Sequence, residues 1–114
     1  MPKSFLMRYK IIAIPRFEKD LKLLAKKYPS IKNEYLNLLN DLKVKPEIGV
    51  PLGNNCYKIR ISIASKRKGK SGGARVITYL QIHEGTIFLL TIFDKSETDN
   101  ISNNDISELM KFII

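Results

Sequence analysis

The stretch Cys56–Arg75 reads C-Y-K-I-R-I-S-I-A-S-K-R-K-G-K-S-G-G-A-R. In its first half the apolar residues Tyr57, Ile59, Ile61 and Ile63 alternate with Lys58, Arg60 and Ser62. A period of two belongs to a half-buried strand, whose successive side chains point to opposite faces. The run Lys66–Gly73 holds three glycines and no apolar residue, which predicts a flexible loop. Ala74–Ile82 then reads as a second strand, with Arg75 at the junction of loop and strand. Cross-strand neighbours lie about 5 Å apart. Lys58, Arg60 and Arg75 are therefore expected to project from adjacent strands at a spacing that suits one phosphate group.

Charge sharpens this reading. The stretch carries seven cations (Lys58, Arg60, Lys66, Arg67, Lys68, Lys70 and Arg75), and no acid occurs between Glu47 and Glu84. Cations without counter-charges repel one another unless a polyanion neutralises them, so this segment is predicted to meet nucleic acid. The net charge of +9 is uneven. Residues 1–47 carry +6, residues 48–83 carry +7 and residues 84–114 carry −4. A basic body with an acidic C-terminal third implies a polyanion site on one side only.

The chain of 114 residues suits a single domain spanning 1–114 with one core. Cys56 is its only cysteine and His83 its only histidine, which excludes an internal disulfide, a cysteine metal site and a His-pair site. No metal or other cofactor is expected. No apolar run approaches membrane-spanning length and no signal-peptide core is evident, so a cytoplasmic protein with no membrane partner is the expectation.

Outward from the basic stretch, Tyr9–Ile14 reads as a first strand stopped by Pro15, which suits the first turn of a helix. Phe17, Leu21, Leu24, Ala25 and Tyr28 fall on one helical face, with Lys19, Lys22, Lys26 and Lys27 mostly outside it. Pro29-Ser30 breaks this helix, and Ser30 is a candidate N-cap for the next. Ile31, Tyr35, Leu38, Leu39 and Leu42 repeat the spacing, which predicts a helical hairpin. Lys43–Asn55, with two prolines and two glycines, reads as a connecting loop. His83-Glu84-Gly85 is a hairpin turn, and Thr86–Phe93 is apolar on both faces like a central strand. A polar segment leads to a short helix at Asp105–Phe112, capped by Ser102 or Asn103. The expected fold is α+β. A small, mostly antiparallel four-stranded sheet carries the helical hairpin on one face, a short helix at the C-terminal end, and the cations on the open face.

This order, together with Y-K-I-R-I (57–61), G-K-S-G-G-A-R-V-I (69–77) and L-L-T-I-F-D-K-S-E-T-D-N-I-S (89–102), resembles the RelE/ParE superfamily of toxins, most closely its RelE/HigB-like branch. The resemblance covers roughly Tyr9–Ser102. It implies a ribosome-dependent mRNA endoribonuclease that cuts mRNA in the A site and is held inactive by a co-expressed antitoxin. The expected partners are the ribosome, mRNA and an antitoxin, a helix-turn-helix protein encoded nearby. It also implies roles for Lys58 and Arg60 as strand cations, Arg75 at the scissile phosphate and Lys95 after the last strand. Two positions depart from the pattern. Ser96 stands where some relatives have an arginine, and no tyrosine or histidine lies near Ser102.

Metal-free RNA cleavage uses the RNA's own 2′-hydroxyl as nucleophile, so the protein must align the reacting oxygens, stabilise phosphate charge and move two protons. Arg75 suits the phosphate clamp because its planar fork engages two oxygens. Lys58 and Arg60 add charge stabilisation, and Lys58 or Lys95, crowded by cations, is a candidate base. Lys66, Arg67, Lys68 and Lys70 are assigned to RNA phosphates, and Tyr79, of the same strand parity as Arg75, to base stacking. Each has a plainer alternative: a solvated strand cation, a solvated loop, or core packing for Tyr79. Asp94 either orients Lys95 or is a turn residue at a strand end. G-K-S at Gly69–Ser71 is not a P-loop, because Ala64 stands at the required glycine and a strand follows. His83 as a general acid is disfavoured by its place at the far end of a hairpin. Two other functions stay open: a ParE-type toxin acting on DNA gyrase without catalysis, and an RNA-binding relative that has lost cleavage.

Overall fold

In a computed structural model of the chain, residues 9–66, 72–98 and 100–113 are described. Their elements are β1 (Lys10–Ala13), α1 (Pro15–Lys27), α2 (Ile31–Val44), β2 (Val50–Gly53), β3 (Cys56–Ile61), a 3-10 turn (Ala64–Lys66), β4 (Ala74–Gln81), β5 (Thr86–Asp94) and α3 (Asn103–Met110). The strands form one sheet in the order β1-β5-β4-β3-β2. Only β1 and β5 pair in parallel; the other three ladders are antiparallel.

The helices form where the apolar spacing placed them. Phe17 and Leu24 of α1, and Ile31, Leu38 and Leu42 of α2, are buried, and Phe17 meets Tyr35 with ring centroids 5.6 Å apart. Pro15 opens α1, where its missing N–H costs nothing. The sheet supplies the other half of the core. Ile59 and Ile61 of β3, Val76 and Leu80 of β4, and Ile87, Leu89 and Ile92 of β5 are all buried. Fully burying one such aliphatic side chain contributes about 1.5–3 kcal/mol. Between Ile77↔Thr91 and Thr78↔Leu89 the ladder is interrupted by an extra residue, Leu90, which is itself buried. Thr91 Oγ1 donates to Asp20 Oδ2 at 2.6 Å and fastens α1 to β5.

Three expectations are corrected. The sheet has five strands rather than four, because Val50–Gly53, within the expected connecting loop, pairs with β3. Pro51 hid it: proline is tolerated on an edge strand, where its absent N–H faces solvent. Asn54 and Asn55, with φ of 53° and 63°, make the two-residue turn joining β2 to β3, the geometry a tight hairpin requires. Ser30 does not cap α2 with its side chain. Its hydroxyl instead reaches Glu34 at 3.2 Å and accepts from the Ser65 backbone at 3.1 Å, tying α2 to the 3-10 turn. Finally, α3 begins at Asn103 under a capping box in which Ser102 and Asp105 exchange side-chain and backbone hydrogen bonds.

Candidate functional site

The β3–β4 ladder places the strand cations. Arg60 lies directly opposite Arg75, Lys58 opposite Ile77 and Cys56 opposite Tyr79. Opposed residues share a face, so Lys58, Arg60, Arg75 and Tyr79 all stand on one side of the sheet. The structure thus brings the two cations of the alternating strand together with Arg75 at the start of the next.

Their environments differ in a way the sequence did not disclose. Arg60 is exposed, Lys58 is half-buried and Arg75 is 3% exposed. The expectation of an open cationic face therefore holds at Arg60 and is corrected at Arg75. β4 is an interior strand, and Arg75 is flanked by Arg60 on one side and Phe93 on the other. Its guanidinium Nη1 donates to the Ala74 carbonyl at 3.1 Å. A buried guanidinium stays charged, since no protein environment readily deprotonates arginine. It stands beside Arg60 on the same face of the sheet.

Lys95 follows β5 in a turn. Its backbone N–H donates to Gly73 O at 3.0 Å, which brings this turn alongside the start of β4. Its side chain is half-exposed. Tyr79 is half-buried and stacks on Phe88 of β5, with centroids 6.2 Å apart and planes at 26°. It lies four residues along β4 from Arg75, or about 13 Å by strand rise. His83 is exposed beyond the opposite end of β4, roughly 25 Å from Arg75 on the same measure. Cys56 is a buried free cysteine, and burial pushes its thiol up.

Lys66 stands apart in its surroundings. Composition grouped it with the RNA-facing loop cations, yet it ends the 3-10 turn and its side chain is 7% exposed. Its Nζ donates to Asp94 Oδ1 at 2.7 Å and to Ser96 Oγ at 3.2 Å, and it stands 5.3 Å above the Tyr28 ring. Ser96 adds its backbone N–H at 3.0 Å and its hydroxyl at 2.8 Å to the same carboxylate oxygen. Burial would raise the Asp94 pKa, but the Lys66 ammonium, the two Ser96 donors and the Tyr28 hydroxyl together hold it well below the usual carboxylate range. The sequence reading did not find this cluster around Tyr28 and Ser96. Its one local signal was D-K-S, an aspartate two residues before a backbone N–H it can accept from. Arg67, Lys68 and Lys70, which composition assigned to RNA, lie outside the described residues.

Among the described residues no group of three or more His, Cys, Asp or Glu side chains comes together, and no helix is long and apolar enough to cross a membrane.

Comparison with known proteins adds an independent finding. A family model described as the RelE toxin of the RelE/RelB toxin-antitoxin system matches residues 30–113. A mutant of the E. coli toxin RelE in the free state is 19% identical and superposes with a TM-score of 0.63, covering 95% of this chain and all of that one. RelE in the intact E. coli RelBE toxin-antitoxin complex is 18% identical with a TM-score of 0.58, covering 75% of this chain and 95% of that one. A RelE mutant bound to a peptide of the antitoxin RelB is 18% identical with a TM-score of 0.59, covering 95% of this chain and 100% of that one.

Proposed function

The chain belongs to the RelE toxin family, the toxin side of a toxin-antitoxin system, and from that premise we propose that it is a ribosome-dependent endoribonuclease that cuts mRNA through the RNA's own 2′-hydroxyl. The observation that carries the reading is the register Arg60↔Arg75 with Lys58 two residues away on the same face. In the proposed reaction the 2′-oxygen loses its proton and attacks the adjacent phosphorus. The bond to the 5′-oxygen breaks, and that oxygen takes up a proton. The phosphorane-like transition state carries extra negative charge on its non-bridging oxygens, and pre-placed cations stabilise it without reorganising.

Arg60, exposed, is the group placed to meet that phosphate. Arg75, enclosed beside it on the neighbouring strand, supplies charge at short range in a region of low dielectric, where charge acts more strongly than in water. Lys58 lines the approach. Lys95 lies in the turn after β5, whose backbone joins the start of β4, and Lys58 or Lys95 is the candidate proton acceptor. Arg67, Lys68 and Lys70 serve as ribosomal RNA contacts and Tyr79 as a surface for a base. The partner that restrains the toxin is an antitoxin. The relatives bound to RelB support this, and the positive net charge of this chain suits an acidic segment that folds as it binds.

The test is mRNA cleavage on programmed ribosomes by purified protein. Wild type is expected to cut, and Arg60→Ala or Arg75→Ala to lose about 10²–10³ in rate. Arg75→Lys, which keeps the buried charge, is expected to retain more activity than Arg75→Ala. Intact mRNA with DNA gyrase inhibited would instead establish a gyrase-directed toxin. Ribosome binding without cleavage would establish an inactive relative.

A further inference from the structure

We infer that Lys66 and Asp94 form a buried clamp that positions Lys95 beside the Arg60–Arg75 pair, and that Lys66 itself does not touch RNA. The inference rests on the endoribonuclease reading and assigns two positioning residues to it.

Three segments converge at this point. The first is the 3-10 turn after β3, which ends in Lys66 and closes with Lys66 N donating to Ile63 O at 2.9 Å. The second is Gly73, immediately before β4. A Cβ there would collide with the Ile61 carbonyl oxygen, so only glycine lets the chain pass this close to the end of β3. The third is the turn after β5, in which Glu97 N and Thr98 N donate to Asp94 O at 3.1 and 3.2 Å.

Lys95 sits between two fastenings. On one side the Lys66 ammonium grips Asp94 and Ser96, the residues immediately before and after it. On the other, Lys95 N donates to Gly73 O, two residues before Arg75. Both stems of the basic loop are thus bound to the turn that bears Lys95. Its backbone is fixed from both sides while its side chain is left half-exposed.

The burial argues for positioning over RNA contact. A cation that pairs directly with an RNA phosphate must present its charge to solvent, and the Lys66 side chain is 7% exposed and already paired with a carboxylate that is fully buried. A buried ion pair is seldom the most stabilising choice at a site, because desolvation offsets most of the attraction. What it does supply is one fixed geometry. Catalysis by positioned cations is sensitive to that, since a displacement of about 1 Å can cost roughly 10²-fold in rate.

The experiment compares wild type, Lys66→Met, Lys66→Arg, Asp94→Asn and the double variant Lys66→Met/Asp94→Asn on programmed ribosomes. It measures the single-turnover rate at saturating ribosomes, ribosome affinity across salt concentrations, and amide exchange at Lys95 and Ser96. The double variant leaves no unpaired buried charge, so it keeps the fold where a single variant loses it. The expected result is a loss of about 100-fold in rate for Lys66→Met and for the double variant. Ribosome affinity and its salt dependence stay unchanged, protection at Ser96 is lost, and Lys66→Arg recovers most of the rate. A double variant that cuts as fast as wild type overturns the clamp. So does a Lys66→Met protein whose rate is unchanged while its binding weakens and its salt dependence flattens, the signature of a cation that neutralised a phosphate. A wild-type protein that cuts no mRNA refutes the endoribonuclease reading itself, a result separable from both.

Discussion

Replacing Asp94 by asparagine isolates the energetics of the buried ion pair. The side chains of Lys66 and Asp94 are 7% and 0% exposed, and their charged atoms lie 2.7 Å apart. Asparagine keeps the shape and removes the charge, leaving the Lys66 ammonium buried without its counter-ion. Breaking such a pair from one side costs about 3–5 kcal/mol. In a domain of this size each kcal/mol moves the melting temperature by about 4–8 °C, so a fall of roughly 15 °C or more is expected. The pH dependence carries a definite sign. The carboxyl of Asp94 is held below its ordinary value of 3.8, so its folded pKa is lower than its unfolded one. Its contribution is fully present above the unfolded pKa and is lost as the pH falls towards the folded one. The stability gap between wild type and Asp94→Asn should therefore be constant from about pH 8 to pH 5 and narrow below about pH 4. Urea unfolding followed by circular dichroism at several pH values measures it. A gap below about 1 kcal/mol at neutral pH, the worth of an exposed pair, would refute the argument. So would a gap as wide in strong acid as at pH 7.

Three further outcomes are expected. Changing Arg67, Lys68 and Lys70 together to glutamine should weaken ribosome binding and reduce its salt slope by roughly 0.7–0.9 for each phosphate no longer neutralised; an unchanged slope would show that the loop stays clear of RNA. Gly73→Ala should destabilise the protein and loosen the Lys95 turn, because its methyl group would collide with the Ile61 backbone; amide exchange at Lys95 reads this directly. Ser102→Ala should cost about 1 kcal/mol through loss of the α3 cap, seen as faster exchange in residues 103–106 with β4 unaffected.

The elements governed by local periodicity were legible from the chain alone. Alternation at 57–63 placed β3, and the i, i+4, i+7 spacing selected Phe17, Leu24, Leu38 and Leu42, all buried in the structure. What escaped depends on partners far away in sequence. Val50–Gly53 has no strand signature of its own and becomes a strand by pairing at an edge, where neither Pro51 nor Gly53 is prohibitive. Lys66 looks the same as Lys68 in composition, and only its meeting with Asp94, 28 residues on, removes it from the surface. The cation cluster shows the same divide. Parity put Lys58 and Arg60 on one face, but the burial of Arg75 on an interior strand, between Arg60 and Phe93, is a tertiary fact that no local pattern carries. Ser30 had the residue type of a cap and found a stronger partner in Ser65, a residue in another element.

The parallel pairing of β1 with β5 imposes an order of assembly. Lys10 pairs with Thr86 and Ala13 with Leu89, so the first described strand waits for the last one. The apolar face of α1 waits with it, because its anchor, Thr91, lies in the same late strand. Pairings of such sequence separation must overcome loop-closure entropy before they stabilise anything, which slows folding. On the synthesising ribosome β1 emerges unpaired, and α1 and α2 have only each other to pack against, since domains complete only as their C-terminal partners appear. The face bearing Arg60 and Arg75 is likewise unfinished until β5 joins β4. The nascent chain therefore leaves apolar surface uncovered for most of its synthesis, and its sheet closes only in a late step.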